Sequence, residues 1–135
     1  MRKVVVGVGN PHIPEDSFGV KVAEMAKKAG FDALAAFPLD LPEMLEGYDF
    51  AIVVDVLLGK KTGEIHLLSV EDLKARKVFT SHSIGVMEAI MLGFEYAEMP
   101  EILIVAVEVG EKDDGALEKA LSVVMDVIAY EMCRR

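Results

Sequence analysis

Three stretches of the chain carry residue types able to hold a metal or move a proton. The first is Gly7-Val8-Gly9-Asn10-Pro11-His12-Ile13-Pro14-Glu15-Asp16-Ser17-Phe18-Gly19, a glycine turn followed by two acids where a helix should begin. The second is Asp55, a carboxylate that breaks the apolar run Ala51-Ile52-Val53-Val54. The third is His82, in Thr80-Ser81-His82-Ser83-Ile84-Gly85, again just ahead of a helical pattern. Each has a plain alternative. Asp16 suits an N-cap, where backbone amides and the helix dipole favour a carboxylate. His82 suits a loop position held by ordinary hydrogen bonds. Asp55 is harder to set aside, because a carboxylate in a buried run costs several kcal/mol unless it is paired or bound to a metal. Taken together, two carboxylates and an imidazole form a mixed O/N set suited to nickel, zinc or iron with coordination positions left open.

Other chemistries find less support. Gly7-x-Gly9 lacks the third glycine of G-x-G-x-x-G, since position 12 is histidine, and Pro11 and Pro14 delay the helix whose amides would hold a pyrophosphate. No G-x-S-x-G elbow exists for a serine nucleophile. The single cysteine, Cys133, rules out an internal disulfide and a CxxC site, and its position argues against a nucleophile. Lys60-Lys61 reads as a solvated turn, and the eight methionines as core filler, with Met87 and Met91 as candidates for a peptide groove.

The elements that must position these residues follow from hydrophobic patterning. Val4 to Val8, Phe50 to Leu58, Lys77 to Phe79 and Ile102 to Val109 read as strands buried on both faces, with Ala33 to Phe37 a weaker fifth. Helical spacing covers Ser17 to Ala29, Pro42 to Glu46, Ile84 to Gly93 and Asp114 to Met132, the last carrying Leu117, Leu121, Val124 and Ile128. Gly30 is placed to end the first helix, and Ser69-Val70-Glu71-Asp72 has capping-box spacing for a short one. Thr62-Gly63 predicts a turn, after which Glu64 to Leu68 would form an edge strand with His66 alternating outward from Ile65 and Leu67. Alternating strands and helices imply an α/β fold: a three-layer sandwich with a twisted, mostly parallel sheet of about five strands and helices on both faces. Ligands of such sheets bind beyond the carboxyl ends of the strands, which is where Asp16, Asp55 and His82 would gather.

Size and charge narrow the function. The chain has 135 residues, 53% of them hydrophobic and 27% charged, enough for one domain over residues 1–135 and too few for two. Fourteen basic against 23 acidic residues give a formal charge of -9, which disfavours nucleic acid as a partner. The apolar run Val4-Val5-Val6 stops at Gly7, far short of a signal peptide or a membrane span, so a cytoplasmic protein without a membrane partner is expected.

The ordered set Val6-Gly7-Val8-Gly9-Asn10, an acidic pair and Gly19, Asp55 closing a strand, Thr62-Gly63-Glu64-Ile65, and His82 with Gly85 opening a helix resembles the hydrogenase maturation endopeptidases, over most of the chain. That family trims the C-terminal peptide from the large subunit of [NiFe] hydrogenases. The resemblance implies an α/β sandwich of the phosphorylase/hydrolase-like kind, an aspartic-type endopeptidase activity, and nickel recognised by Asp16, Asp55 and His82, with Glu15 the neighbouring acid. It further implies that the nickel is already in the precursor, that no organic cofactor is needed, and that the enzyme acts as a monomer. Ser17 stands where the family commonly has glycine, and Pro11 and Pro14 reshape the first loop, which is expected to select a different precursor. The segment Val107-Glu108-Val109-Gly110-Glu111-Lys112-Asp113-Asp114 departs from the family's usual Pro-containing stretch. Gly7-Val8-Gly9-Asn10-Pro11 also resembles the opening of bacterial peptidyl-tRNA hydrolases, but those enzymes expect histidine then asparagine where this chain has Glu15-Asp16-Ser17. A third possibility is a noncatalytic nickel-binding or chaperone-like module that docks on the precursor without cutting it.

Overall fold

The computed structural model describes residues 1–10, 12–13, 17–75, 89–90, 92–93 and 98–135. Asp16 and His82 lie outside the described residues, as do the strand expected at Lys77 to Phe79 and most of the helix expected at Ile84 to Gly93.

Among the described residues five strands, β1 (Lys3–Val8), β2 (Ala33–Ala36), β3 (Phe50–Leu58), β4 (Ile65–Leu68) and β5 (Glu101–Val109), form one sheet in the order β2-β1-β3-β5-β4. β1 is parallel to β2 and β3, and β3 to β5; of the described strands β4 alone runs antiparallel, beside β5. The central strands are nearly continuous runs of Val, Ile and Ala because each of their faces is covered. One cover is α1 (Phe18–Lys28) and α4 (Ala116–Cys133), which send Phe18, Val22, Val124 and Ile128 into a core with Ile52, Val54 and Val105. The other cover includes α2 (Leu41–Leu45) and α3 (Val70–Lys74), with Leu41, Leu45, Val70 and Ile90 packed on Val6, Val53 and Ile104. No helix among the described residues is long and apolar enough to cross a membrane.

Local signals act as their sequences dictate. The Ser69 box closes reciprocally: the Ser69 amide donates to Asp72 Oδ2 (2.8 Å) and the Asp72 amide to Ser69 Oγ (3.2 Å). Gly30, at φ +97°, follows the last turn of α1 and returns its amide to the Lys27 carbonyl. The glycines at 7 and 19 answer a different need, the approach of α1 to the sheet. A Cβ on Gly7 would lie 1.9 Å from the Gly19 carbonyl oxygen, and one on Gly19 would lie 2.6 Å from the Val8 oxygen and 3.0 Å from the Val54 oxygen. Backbone therefore rests on backbone, and the first turn of α1 is set beside Val54, the residue just before Asp55.

Candidate active site

In a sheet ordered 2-1-3, connections leave β1 in opposite directions, and the crevice between the carboxyl ends of β1 and β3 is the place where ligands bind. Asp55 stands at that crevice. The register of β1 with β3 ends at Gly7↔Val54, whereas β3 and β5 stay paired to Leu58↔Val109, so Asp55 lies at the step where one neighbouring strand stops and the other continues. Its side chain is 1% exposed. Val54 and Val56 point into the α1/α4 core, so strand alternation sends the Asp55 carboxylate to the opposite face. There Oδ1 accepts the Val56 amide at 2.8 Å. A cavity of about 440 Å3 between α1, β5 and α4, lined by Phe18, Lys21, Val109, Asp113, Leu117 and Leu121, opens on the α1/α4 face, away from the direction Asp55 takes.

Of the three residues expected to form a ligand set, Asp55 is the one that falls within the described residues. Among those residues no group of three or more His, Cys, Asp or Glu is placed to hold a metal. Ser17, directly after Asp16, is nonetheless the N-cap of α1, and the contact of Gly19 with Val8 and Val54 fixes that helix start at the same rim as Asp55. The donor chemistry of a buried carboxylate at this step is compatible with an ion presented from outside, with Asp55 as one anionic oxygen ligand.

No protein-family model matches the sequence, and no curated protein does. Solved structures do match. The [NiFe] hydrogenase maturation protease HybD from Thermococcus kodakarensis is 19% identical, with a TM-score of 0.70 over 94% of this chain and 99% of that one. The hydrogenase maturating endopeptidase HybD from E. coli is 20% identical, with a TM-score of 0.69 over 97% and 94%. The [NiFe] hydrogenase maturation protease HycI from Thermococcus kodakarensis KOD1 gives 19% and 0.70 over 96% and 90%. This chain has their fold.

Within this maturation-protease fold the structure adds two residues that the sequence analysis did not assign to a site. Glu108, on β5, is buried, and its Oε1 lies 3.1 Å from Nε2 of His66 on β4; its Oε2 accepts the Lys61 amide. His66 does alternate away from Ile65 and Leu67, but onto the face shared with Asp55 and not into open solvent: the rung Asp55↔Ala106↔His66 crosses three strands, with a methyl group between the two polar side chains. The signal for Glu108 was the same as for Asp55, a carboxylate inside an apolar strand, and it applied equally.

The Lys61 amide, the largest influence, and the His66 ring hold the Glu108 carboxyl below the ordinary carboxylate value against burial, which pushes it up. Glu131 on α4 is held down likewise, first by Arg134 and then by Arg135, again against burial. Because each folded-state value is depressed, the stability these groups contribute is present above the ordinary carboxylate range and is lost as pH falls through that range toward the folded-state values. Melting temperatures of wild type and Glu108→Gln should therefore differ at neutral pH and converge in acid. A difference that persists unchanged at about pH 3 would contradict the assignment.

Proposed function

We propose that this protein is a cytoplasmic endopeptidase that removes the C-terminal peptide of a [NiFe]-hydrogenase large-subunit precursor after nickel has been inserted. The observation that carries the reading is a buried carboxylate, Asp55, at the β1/β3 step of a sheet whose fold is shared with hydrogenase maturation proteases. In this reading the nickel arrives as part of the substrate. Asp16, Asp55 and His82 complete the coordination that the precursor's own cysteines leave open, and the scissile segment is thereby fixed against the rim. Ion-bound, the segment gains a polarised carbonyl or an activated water. What the chain itself supplies is orientation: one anionic ligand, Asp55, on a rigid strand, with the Asp16 carboxylate and the His82 imidazole as the other two. Fixing reacting groups in this way supplies a large part of the rate, since misplacement by about 1 Å can cost ~100-fold.

Isothermal titration of the free protein with nickel tests the ligand set without reference to activity. One weak site is expected on wild type, weaker still as His82 protonates, because imidazolium cannot ligate. The Asp16→Ala, Asp55→Ala and His82→Ala variants should each reduce binding. Undiminished binding by all three would remove the basis for the proposed ligand set.

A further inference from the structure

We propose that Glu108 is a positioning residue of this site: it holds the connection between β3 and β4, residues Gly59 to Glu64, as a fixed wall beside Asp55 on which the precursor segment is seated. The inference rests on the proposed function and extends it to how the substrate is held.

The placement comes from register. Leu57 pairs with Glu108 and Asp55 with Ala106, so Glu108 and Asp55 project from the same face and stand diagonally across two strands, roughly 8 Å apart at their Cα atoms. The bonds of Glu108 then run almost entirely to one segment. Its carboxylate takes the Lys61 amide and the His66 ring; its carbonyl accepts the Gly63 amide at 2.8 Å, and its amide donates to the Glu64 carbonyl at 2.8 Å. Two further bonds reinforce the hold: the Gly59 amide to the Val109 carbonyl (3.1 Å) and the Gly110 amide to Thr62 Oγ1 (2.8 Å). Gly59 makes room for this arrangement. A Cβ there would lie 2.6 Å from both Cδ and Oε2 of Glu108.

An apolar side chain at 108 would fill the same space without the cost of burying a charge. The carboxylate does what such a side chain cannot: it satisfies an amide of the turn and an imidazole of β4 at once. The connection it holds begins immediately after β3, at the carboxyl end of the strands, so a substrate segment reaching Asp55 meets it. A wall held in one conformation seats that segment in one place; a loose wall admits it in many.

The test is steady-state cleavage of nickel-loaded precursor, followed by the mass of the released peptide, well below the melting temperature of each variant. Glu108→Ala should raise KM by ~10-fold while kcat stays within about threefold. Glu108→Gln should restore KM to within about twofold of wild type, because its amide oxygen can accept from Lys61 while its NH2 donates to the other His66 tautomer. Gly59→Ala, which pushes the Glu108 carboxylate off the turn, should match Glu108→Ala. The double variant Gly59→Ala/Glu108→Ala should be no worse than either single one, as expected of two changes acting on one contact. An unchanged KM in both Glu108→Ala and Gly59→Ala, or a Glu108→Gln variant as impaired as Glu108→Ala, would overturn the inference while leaving the endopeptidase reading intact. Wild type that fails to cleave, or Asp55→Asn that cleaves like wild type, would overturn the endopeptidase reading itself and this inference with it.

Discussion

Asp55→Asn should abolish release of the C-terminal peptide, a loss on the order of 1000-fold or more, while the melting temperature stays within a few degrees of wild type. The reasoning joins burial to bonding. Asparagine is isosteric, its Oδ1 still accepts the Val56 amide, and the substitution removes a charge from a side chain that is 1% exposed. What it removes is the anionic ligand. Alanine is a less clean probe, because it would leave the Val56 amide without the oxygen it now uses, at a cost of about 1–3 kcal/mol that offsets the relief of the buried charge. Cleavage assays and melts on the same preparation decide the matter. Retained cleavage would take Asp55 out of the site; a collapse in melting temperature for Asp55→Asn would show that the charge itself holds the fold together.

Of the glycine-to-alanine changes among the described residues, Gly7→Ala should produce the largest stability loss. The new methyl would stand 1.9 Å from the Gly19 carbonyl oxygen and 2.5 Å from its carbon, and both are backbone atoms of the first turn of α1. Neither side can yield by changing a rotamer, so helix and strand must separate. Overpacking that forces backbone to move costs about 3 kcal/mol or more, equivalent to a fall of roughly 10 °C in melting temperature for a domain of this size. Since the same contact sets α1 beside Val54, any Gly7→Ala protein that still folds should also lose cleavage. A melting temperature equal to wild type would mean that the helix does not depend on this close approach.

The two glycines illustrate how much of the molecule was legible in the sequence. Hydrophobic patterning placed β1 and α1 to within a residue or two of Lys3–Val8 and Phe18–Lys28, but the close approach of Gly7 to Gly19 that joins them was not legible. Phe50 to Leu58 was read with the bounds that β3 has, because a run buried on both faces carries its own limits in its composition. The Ser69-x-x-Asp72 box was legible because both bonds are local. Pairing at long range was not. His66 meets Glu108 across 42 residues, through an antiparallel register between β4 and β5 that nothing near either residue specifies. Parity along each strand could be read, so Asp55 could be placed on a strand; which neighbours share its rung could not. The level at which β1 stops beside β3 was likewise hidden, and that step is what sets Asp55 at the mouth of the crevice and not within the sheet.

The charge of the chain bears on what can reach that mouth. At -9 the protein repels a nucleic-acid backbone at long range, which runs against the peptidyl-tRNA hydrolase alternative. Between an enzyme that cuts and a module that only docks, the deciding property is the product. The measurement that tests the account most directly is therefore a comparison of nickel-loaded and nickel-free precursor at equal amounts of this protein, scored by the mass of the released peptide. The account predicts release from the nickel-loaded precursor alone, with no cleavage of the nickel-free form, of unfolded proteins or of generic peptides, because without the ion the segment is not anchored at Asp55. Cleavage of both precursors at the same rate, or of neither, would contradict it.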